Sequence, residues 1–393
     1  MPATLSPQAI RARSRERGEP SWLADARAEA FERHAKLEPP RWRRTDLAGL
    51  DVARLAAAAW ARPPPRAPDA PKLPEGVTLL PLAVAAREHE DLVRPLLRVP
   101  ASADKWEVLA AATWTEGRLL HVEKGVEARE PIALETRHPH DGALVRDAIR
   151  LERSAKATVV ASETGAAGGA FVGLGVALDV GDGAQLAYAS LQDVARGATV
   201  LANRRARLHR DARLAWTDGQ FGAGTSVTVN ETSLAGPGSS LRFIGAFFGS
   251  AKQHLDVTTS ALLEAEHTAA QLDMKGALND DGYSANYSIV NIGPSARNAS
   301  GHQHQETLIL SERARADAIP KLDVENNDVS ASHGATVGEV DPEQMFYLRS
   351  RGFTETGAKR VIVAGFFEPL LREIPLDDAR DAIERAILDR LGG

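Results

Sequence analysis

Apolar and polar positions divide the chain into three stretches of different period. In SWLADARAEAFERHAKL, Ser21 is a suitable N-cap, and Trp22, Ala26, Ala30 and Phe31 fall near one helical face. TDLAGLDVARLAAAAW, EDLVRPLLRVP and DKWEVLAAATWTEG read as further short helices. RPPPRAPDAPKLPEG (62–76) is proline-rich and reads as a linker or extended surface segment. An N-terminal helical region is expected over 1–115. From about residue 117 the helical spacing fades into runs of five to eight residues, rich in valine, leucine, threonine and phenylalanine and broken by glycine, aspartate and asparagine.

Within this second stretch a repeat is visible. Leu186, Val200, Leu214, Val227, Leu241 and Leu255 each follow a small or polar pair and open a strand-like run, at spacings of 14, 14, 13, 14 and 14 residues. A short fixed period of strands is the mark of one unit stacked many times. Two units make a coil of about 28 residues, with Leu186, Leu214 and Leu241 stacking on one sheet and Val200, Val227 and Leu255 on the other. The pattern favours a flattened β-helix or similar β-solenoid over 116–338. An up-and-down β-sandwich is the alternative, although the Asn-Gly and Asp-Gly turns that hairpins favour are few.

The third stretch, 339–393, is helical again. Asp341 is an N-cap with Pro342 in the first position, and Gly352 is a stop. Thr354 opens a second helix with Ala358, Val361, Ile362, Phe366 and Leu370 on its apolar face, and Pro369 should distort it near Phe366. A third helix carries the stripe Ala379, Ile383, Ala386, Ile387 and Leu391. That stripe reads as docking within the helical domain, with a partner surface as the alternative.

Composition narrows the function classes. The 393 residues exceed one ordinary compact core, so several domains or one elongated repeat domain are expected. A net charge of −6 argues against a dedicated nucleic-acid binder. Absence of cysteine excludes disulfides, thiolate ligation and a cysteine nucleophile. No apolar run is long enough to span a bilayer, and MPATLSPQAIRARSRERGEP lacks the apolar centre of a secretory signal. It reads as a surface helix, with a transit peptide as the alternative given its arginine and serine content, and a cytoplasmic location is expected.

Candidate chemistry is sparse. His302 and His304, two apart, would share one face of a strand, a workable two-ligand geometry for a metal; His254 or His267 could approach them in a stacked fold. Asp280 with Asp281, and Glu325 with Asp328, suit turns better than catalysis. GAAGG (165–169) lacks the lysine of a phosphate loop, and no complete catalytic set is present. His333 stands apart: SASHGATVGEV (330–340) sets it among small residues, in what reads as a tight bend that leaves the imidazole open to close approach.

With LDVENNDVSASHGATVGEVDPEQMFYLRSRGF (322–353) the chain resembles the SufB/SufD family of iron–sulfur cluster assembly proteins, on the SufD side. The resemblance is carried by Pro320, Leu322, Asp323, Asp328, SHGATVG and FYLRSRGF, with LILSERARADAIPKLDV upstream, and covers about 150–393. Ala331 stands where family members often carry cysteine. The resemblance implies a right-handed parallel β-helix with helical domains at both ends. It also implies a non-catalytic subunit that binds no nucleotide itself, pairs with SufB through the β-helix and docks the ATPase SufC through 341–393. His333 would then be a ligand for iron or a nascent iron–sulfur cluster at the subunit interface. A β-helix polysaccharide lyase or hydrolase is the enzymatic alternative. An isolated chain could pair edge to edge as a homodimer.

Overall fold

The computed structural model describes residues 5–40, 44–47, 50–61 and 73–391, so the expected linker lies outside the described residues up to position 72. In chain order the strands are β1 (Val77–Pro81), β2 (Arg118–Val122), β3 (Ile132–His138), β4 (Gly142–Leu151), β5 (Lys156–Gly165), β6 (Phe171–Val180), β7 (Gln185–Val194), β8 (Thr199–Leu208), β9 (Arg213–Gln220), β10 (Thr225–Leu234), β11 (Ser240–Gly249), β12 (His254–Leu263), β13 (Ala269–Leu278), β14 (Tyr283–Ile292), β15 (Ala299–Ile309), β16 (Arg315–Val324) and β17 (Val329–Glu339). They form two sheets, β1-β2-β4-β6-β8-β10-β12-β14-β16 and β17-β15-β13-β11-β9-β7-β5-β3. From β2 onward alternate strands go to opposite sheets, and every pairing but β1–β2 is parallel, which is a parallel β-solenoid of about eight turns. The sandwich alternative fails on strand direction, since hairpins would give antiparallel neighbours.

The expected column Leu186, Leu214 and Leu241 is in register and buried. The second column is off by one. Val200 lies opposite Ser226, and Ser226 opposite Leu255, whereas Val227 neighbours Leu201. A shift of one residue moves a side chain to the other face of a sheet. Val227 therefore points outward and is buried with Leu201 and Phe171 under the N-terminal helices, while Ser226 faces the interior. Counting aliphatic residues alone does not distinguish the two faces when both are covered.

Turn chemistry fixes the coil. At one corner Gly125, Ser154, Gly183, Asp211, Gly238, His267 and Asn298 all take positive φ. Each donates its N–H to a carbonyl of the next coil: Gly125 to Arg153, Ser154 to Asp182, Gly183 to Arg210, Asp211 to Pro237, Gly238 to Glu266, His267 to Arg297 and Asn298 to Asp328. His267 is thus one rung of a turn ladder. Asp280 occupies the opposite corner (φ 56°) and its carboxylate accepts from the Ala251 N–H at 2.9 Å, while Asp281 pairs with Arg313. Both aspartates fill the structural role expected of them.

The helices lie along the faces of the solenoid as well as beyond its ends. In order they are α1 (Pro7–Glu16), α2 (Ser21–Lys36), α3 (Val52–Trp60), α4 (Leu82–Glu88), α5 (Glu90–Leu96), α6 (Lys105–Thr113), α7 (Pro342–Ser350), α8 (Glu355–Leu371) and α9 (Asp377–Asp389). Helices α2 to α6 cover the nine-stranded sheet, and α1 packs on the helical layer through Ile10. The expected face of α2 is rotated: Leu23, Ala24, Arg27, Ala28, Ala30 and His34 are the buried residues, and Ser21 is the first helical residue rather than a side-chain cap. Arg27 wins an interior place because Glu19 neutralises it at 2.8 Å and Trp114 lies under its guanidinium at 3.8 Å.

Helices α8 and α9 cover the eight-stranded sheet. The α9 stripe docks on the solenoid as well as on α8: Ala379, Ile383 and Ile387 are buried with Phe221, Ile244 and Phe248. On α8 the buried residues are Ala358, Val363, Phe367, Leu370 and Leu371, one step round from the expected face, so Val361 is exposed. Pro369 falls in the last turn, and α8 runs through it to Leu371. Asp341 and Thr354 cap their helices as expected, accepting from the N–H groups of Glu343 and Gly357.

A short strap, residues 44–47, crosses the nine-stranded sheet at β12. The Thr45 hydroxyl donates to the Asp256 carboxylate and lies 2.8 Å from His254 Nε2. Burial pushes the Asp256 carboxyl up to about 6, against the Thr45 hydrogen bond, and holds His254 below its ordinary value. An acid with a raised folded-state pKa contributes stability below its unfolded value, near 4, and loses it as pH rises through about 6. Asp256→Asn is therefore expected to gain stability relative to wild type by about 2–3 kcal/mol between pH 4 and pH 7. Urea midpoints at the two pH values measure this, and a pH-independent difference would contradict it.

Candidate functional site

His333 lies within β17, not in a bend. Parallel pairing with β15 continues from Val329 to Glu339, opposite Ala299 to Ile309. Small residues suggested a turn, but a parallel neighbour supplies the backbone partners that hold such a sequence extended. The register places His333 at the end of an interior column, Tyr188–Trp216–Phe243–Leu272–Gln303–His333. Tyr188, Trp216 and Phe243 stack with ring centroids 5.7 Å apart at each step, and all are buried. His333 occupies the interior-facing row but is exposed, because β17 ends its sheet and no further coil covers it.

His302 and His304 share one face of β15, as their spacing predicts, but it is the face opposite to the one bearing Gln303 and His333. His302 Nδ1 lies 2.7 Å from Ser332 Oγ, and His304 Nε2 lies 2.6 Å from Glu306 Oε1. Lys275 reaches the same carboxylate at 2.7 Å. Burial would raise the Glu306 carboxyl, but hydrogen bonds from Lys275 and His304 outweigh it and hold the group below its ordinary value. Gly334 stands beside this pair, and a Cβ there would come within 3.0 Å of His304 Nδ1. That position is therefore small for its neighbour's imidazole. The structure does not bring His333, His302 and His304 together. His254 sits on the other sheet and His267 in a turn, so neither joins them. Among the described residues no group of three or more His, Asp or Glu could hold a metal ion.

Two polar regions inside the solenoid escaped the sequence reading. Near the last coil Gln303 Nε2 donates to the Lys321 carbonyl at 2.9 Å, whereas Gln305, Asn286 Oδ1 and Ser284 Oγ have no partner among the described residues. Buried amides of this kind are rare in closed cores. Deeper in, Arg204 and Asp218 are a buried ion pair at 2.7 Å, surrounded by Ser190, Gln220 and Asn230. The signal was present: these residues occupy alternate strand positions whose neighbours along the stack are aliphatic.

The surface around the last coil is unusually apolar. Every exposed large hydrophobic among the described residues lies between 324 and 361: Val324, Val337, Phe346, Tyr347, Phe353 and Val361. Val324 and Val337 lie on the terminal strands β16 and β17, and α7 buries none of its residues, leaving Phe346 75% exposed. Patches of this kind on a protein surface mark interaction sites.

Comparison with known proteins places this geometry in a family. Residues 135–366 match the family model described as SUF system FeS cluster assembly, SufBD core domain. The iron–sulfur cluster assembly protein SufD of Bacillus subtilis (strain 168) is 30% identical over 321 residues, 80% of this chain and 74% of the relative. An iron–sulfur cluster assembly SufBD family protein of Staphylococcus epidermidis is 29% identical over 305 residues, 75% of this chain and 65% of the relative. SufB of Bacillus subtilis is 27% identical over 311 residues, 78% of this chain and 67% of the relative. The chain thus spans about two thirds to three quarters of these relatives' own length.

Proposed function

The chain belongs to the SufB/SufD family of iron–sulfur cluster assembly proteins, and on that premise we propose that it is a SufD-type scaffold subunit that assembles with a SufB-like paralogue and a SufC-like ATPase. One observation carries the reading: the solenoid stops on two open strand edges, β16 and β17, beside the exposed apolar residues of the chain. An open edge presents unpaired N–H and C=O groups that another strand can extend. Two open edges at one end suit a partner with two edges of its own, which a related solenoid provides. In the absence of that partner, a second copy of this chain would pair there as a homodimer.

His333 is placed to act at this junction. A neutral imidazole is a good ligand for iron, and this one faces the open end rather than a hydrogen-bonding neighbour in the fold. Iron or the nascent cluster is then the complex's cargo. The chain has no cysteine, so any thiolate ligand would come from the partner. The ATPase would dock on α7 with Phe353 and Val361, since α8 and α9 spend their apolar faces on the solenoid. The chain itself is proposed to be non-catalytic and to bind no nucleotide, and to work in the cytoplasm; no helix of the described residues is long and apolar enough to cross a membrane.

Co-expression of tagged chain with SufB- and SufC-type proteins tests the reading. Recovery of a stoichiometric three-component complex that carries iron and acid-labile sulfide is expected. Recovery of this chain alone, or only as a homodimer, would overturn it.

A further inference from the structure

We infer that the cleft between α5–α6 and the outer face of β4, β6, β8 and β10 binds a small, multiply charged phosphate anion, with Arg146 and Arg207 as its main contacts. The cleft measures about 1150 Å³, the size of a small-molecule site. It lies on the sheet opposite His333 and is independent of the apolar surface at the last coil.

Charge in the cleft is of two kinds. Some is satisfied: Arg205 is held by Glu107 at 2.7 Å and by Glu231, and Asp179 is shared by His209 at 2.9 Å and Arg150 at 3.9 Å. Glu152 pairs with Arg150 at 2.7 Å, and Asp182 accepts from the Arg210 N–H at 3.1 Å. Four further side chains are cationic. Arg98, Arg146, Arg153 and Arg207 line the cleft, and none has a side-chain hydrogen bond or ion pair among the described residues. Arg98, Arg146 and Arg207 also border a groove beside α2, so the same three arginines line both spaces.

Arg146 is the telling member. It rises from β4 beside Gly175 of β6, which its Cβ and Cγ pass. Burial lowers its pKa to about 10; Glu107 opposes this, and Arg27 and Arg205 add to it. A partly buried guanidinium near other cations, with Glu107 close enough to act on it but no carboxylate in direct contact, is costly to the fold. A fold that retains such a group gains something from it, and a phosphate oxygen supplies the missing counter-charge in the fork geometry that arginine favours. Pairing of Arg205 with two acids leaves it unable to serve. Arg146 and Arg207, in contrast, are free to close on a ligand from β4 and β8.

Isothermal titration of the full-length chain with inorganic pyrophosphate, ADP and sulfate tests the site. Saturable one-to-one binding of pyrophosphate, weakening as salt rises, is expected. ADP should bind no more tightly than pyrophosphate, which identifies the phosphate group alone; tighter binding of ADP would overturn the assignment to a free phosphate anion and with it the proposal that the chain binds no nucleotide. Arg146→Gln should weaken binding about tenfold or more, while its thermal midpoint without ligand stays equal to wild type or rises. Arg207→Gln, at an exposed position, should weaken binding with no change in stability. Absence of saturable binding, sulfate binding as well as pyrophosphate, or undiminished binding by both folded variants would each overturn the assignment.

Discussion

Asp218→Ala is expected to lower the unfolding free energy by about 3–5 kcal/mol, the range for breaking one half of a buried ion pair. Both partners lie inside the solenoid, with side chains 2% exposed at Arg204 and 1% at Asp218. The Asp218 carboxylate accepts from Arg204 at 2.7 Å, Ser190 Oγ at 2.7 Å, Asn230 Nδ2 at 3.1 Å and Gln220 Nε2 at 3.1 Å. Ser190 Oγ also accepts from the Trp216 indole at 3.2 Å, which ties the network to the aromatic column. Without the carboxylate, the guanidinium remains buried with neutral partners and three donors lose their acceptor. Arg204→Met with Asp218→Leu removes both charges and should recover the share of the loss that comes from the unpaired guanidinium, while Ser190, Asn230 and Gln220 still lack their acceptor. Coils contact only their neighbours, so hydrogen exchange should rise first in β8, β9 and β10. Equal destabilisation in the single and double variants would show that packing, not charge, sets the effect.

Phe346→Glu with Tyr347→Glu is expected to weaken binding of the SufC-like ATPase by about 30-fold to 1000-fold, corresponding to roughly 2–4 kcal/mol at an aromatic hot spot. Folding should be unaffected. Phe346 is 75% and Tyr347 57% exposed, and α7 buries nothing in the isolated chain. A surface substitution away from caps and cores changes stability by about 0.5 kcal/mol or less. The cap, Asp341, and the stop, Gly352, are left intact. Surface plasmon resonance with the purified ATPase gives the affinity ratio, and thermal unfolding gives the control. Unchanged affinity with unchanged stability would move the ATPase contact away from α7. The SufB-like pairing should survive this variant, since it is assigned to β16 and β17.

The period near 14 was legible because each coil needs aliphatic residues inside; the scarcity of hairpin turns favoured a solenoid over a sandwich, and the parallel arrangement was implied by the family resemblance. Register was legible only on the eight-stranded sheet. On the other sheet Val227 and Ser226 exchanged roles, because helices bury the outer face and make outward positions as apolar as inward ones. The C-terminal caps at Asp341 and Thr354 were local and could be read directly; the faces of α2 and α8 depended on distant partners and could not. For the site, His333 stood out by its motif, yet its neighbours suggested a bend where pairing with β15 makes a strand. That His302 and His304 share a face followed from strand alternation, but which face they share depended on the stack. The Arg204–Asp218 pair and the arginines of the outer cleft were invisible as clusters, since Arg146 and Arg207 are 61 residues apart in the chain.

The central claim is that His333 handles cluster chemistry at an interface completed by a partner. Native mass spectrometry of the co-expressed three-component complex, wild type and His333→Ala, with iron and acid-labile sulfide assayed on the same samples, tests it most directly. His302→Ala with His304→Ala serves as the comparison on the opposite face of the sheet. The account predicts that His333→Ala forms the same complex with most of its iron and sulfide lost, while the double variant keeps them. A His333→Ala complex with undiminished iron and sulfide would contradict it and leave His333 as a strand residue at the end of an aromatic column.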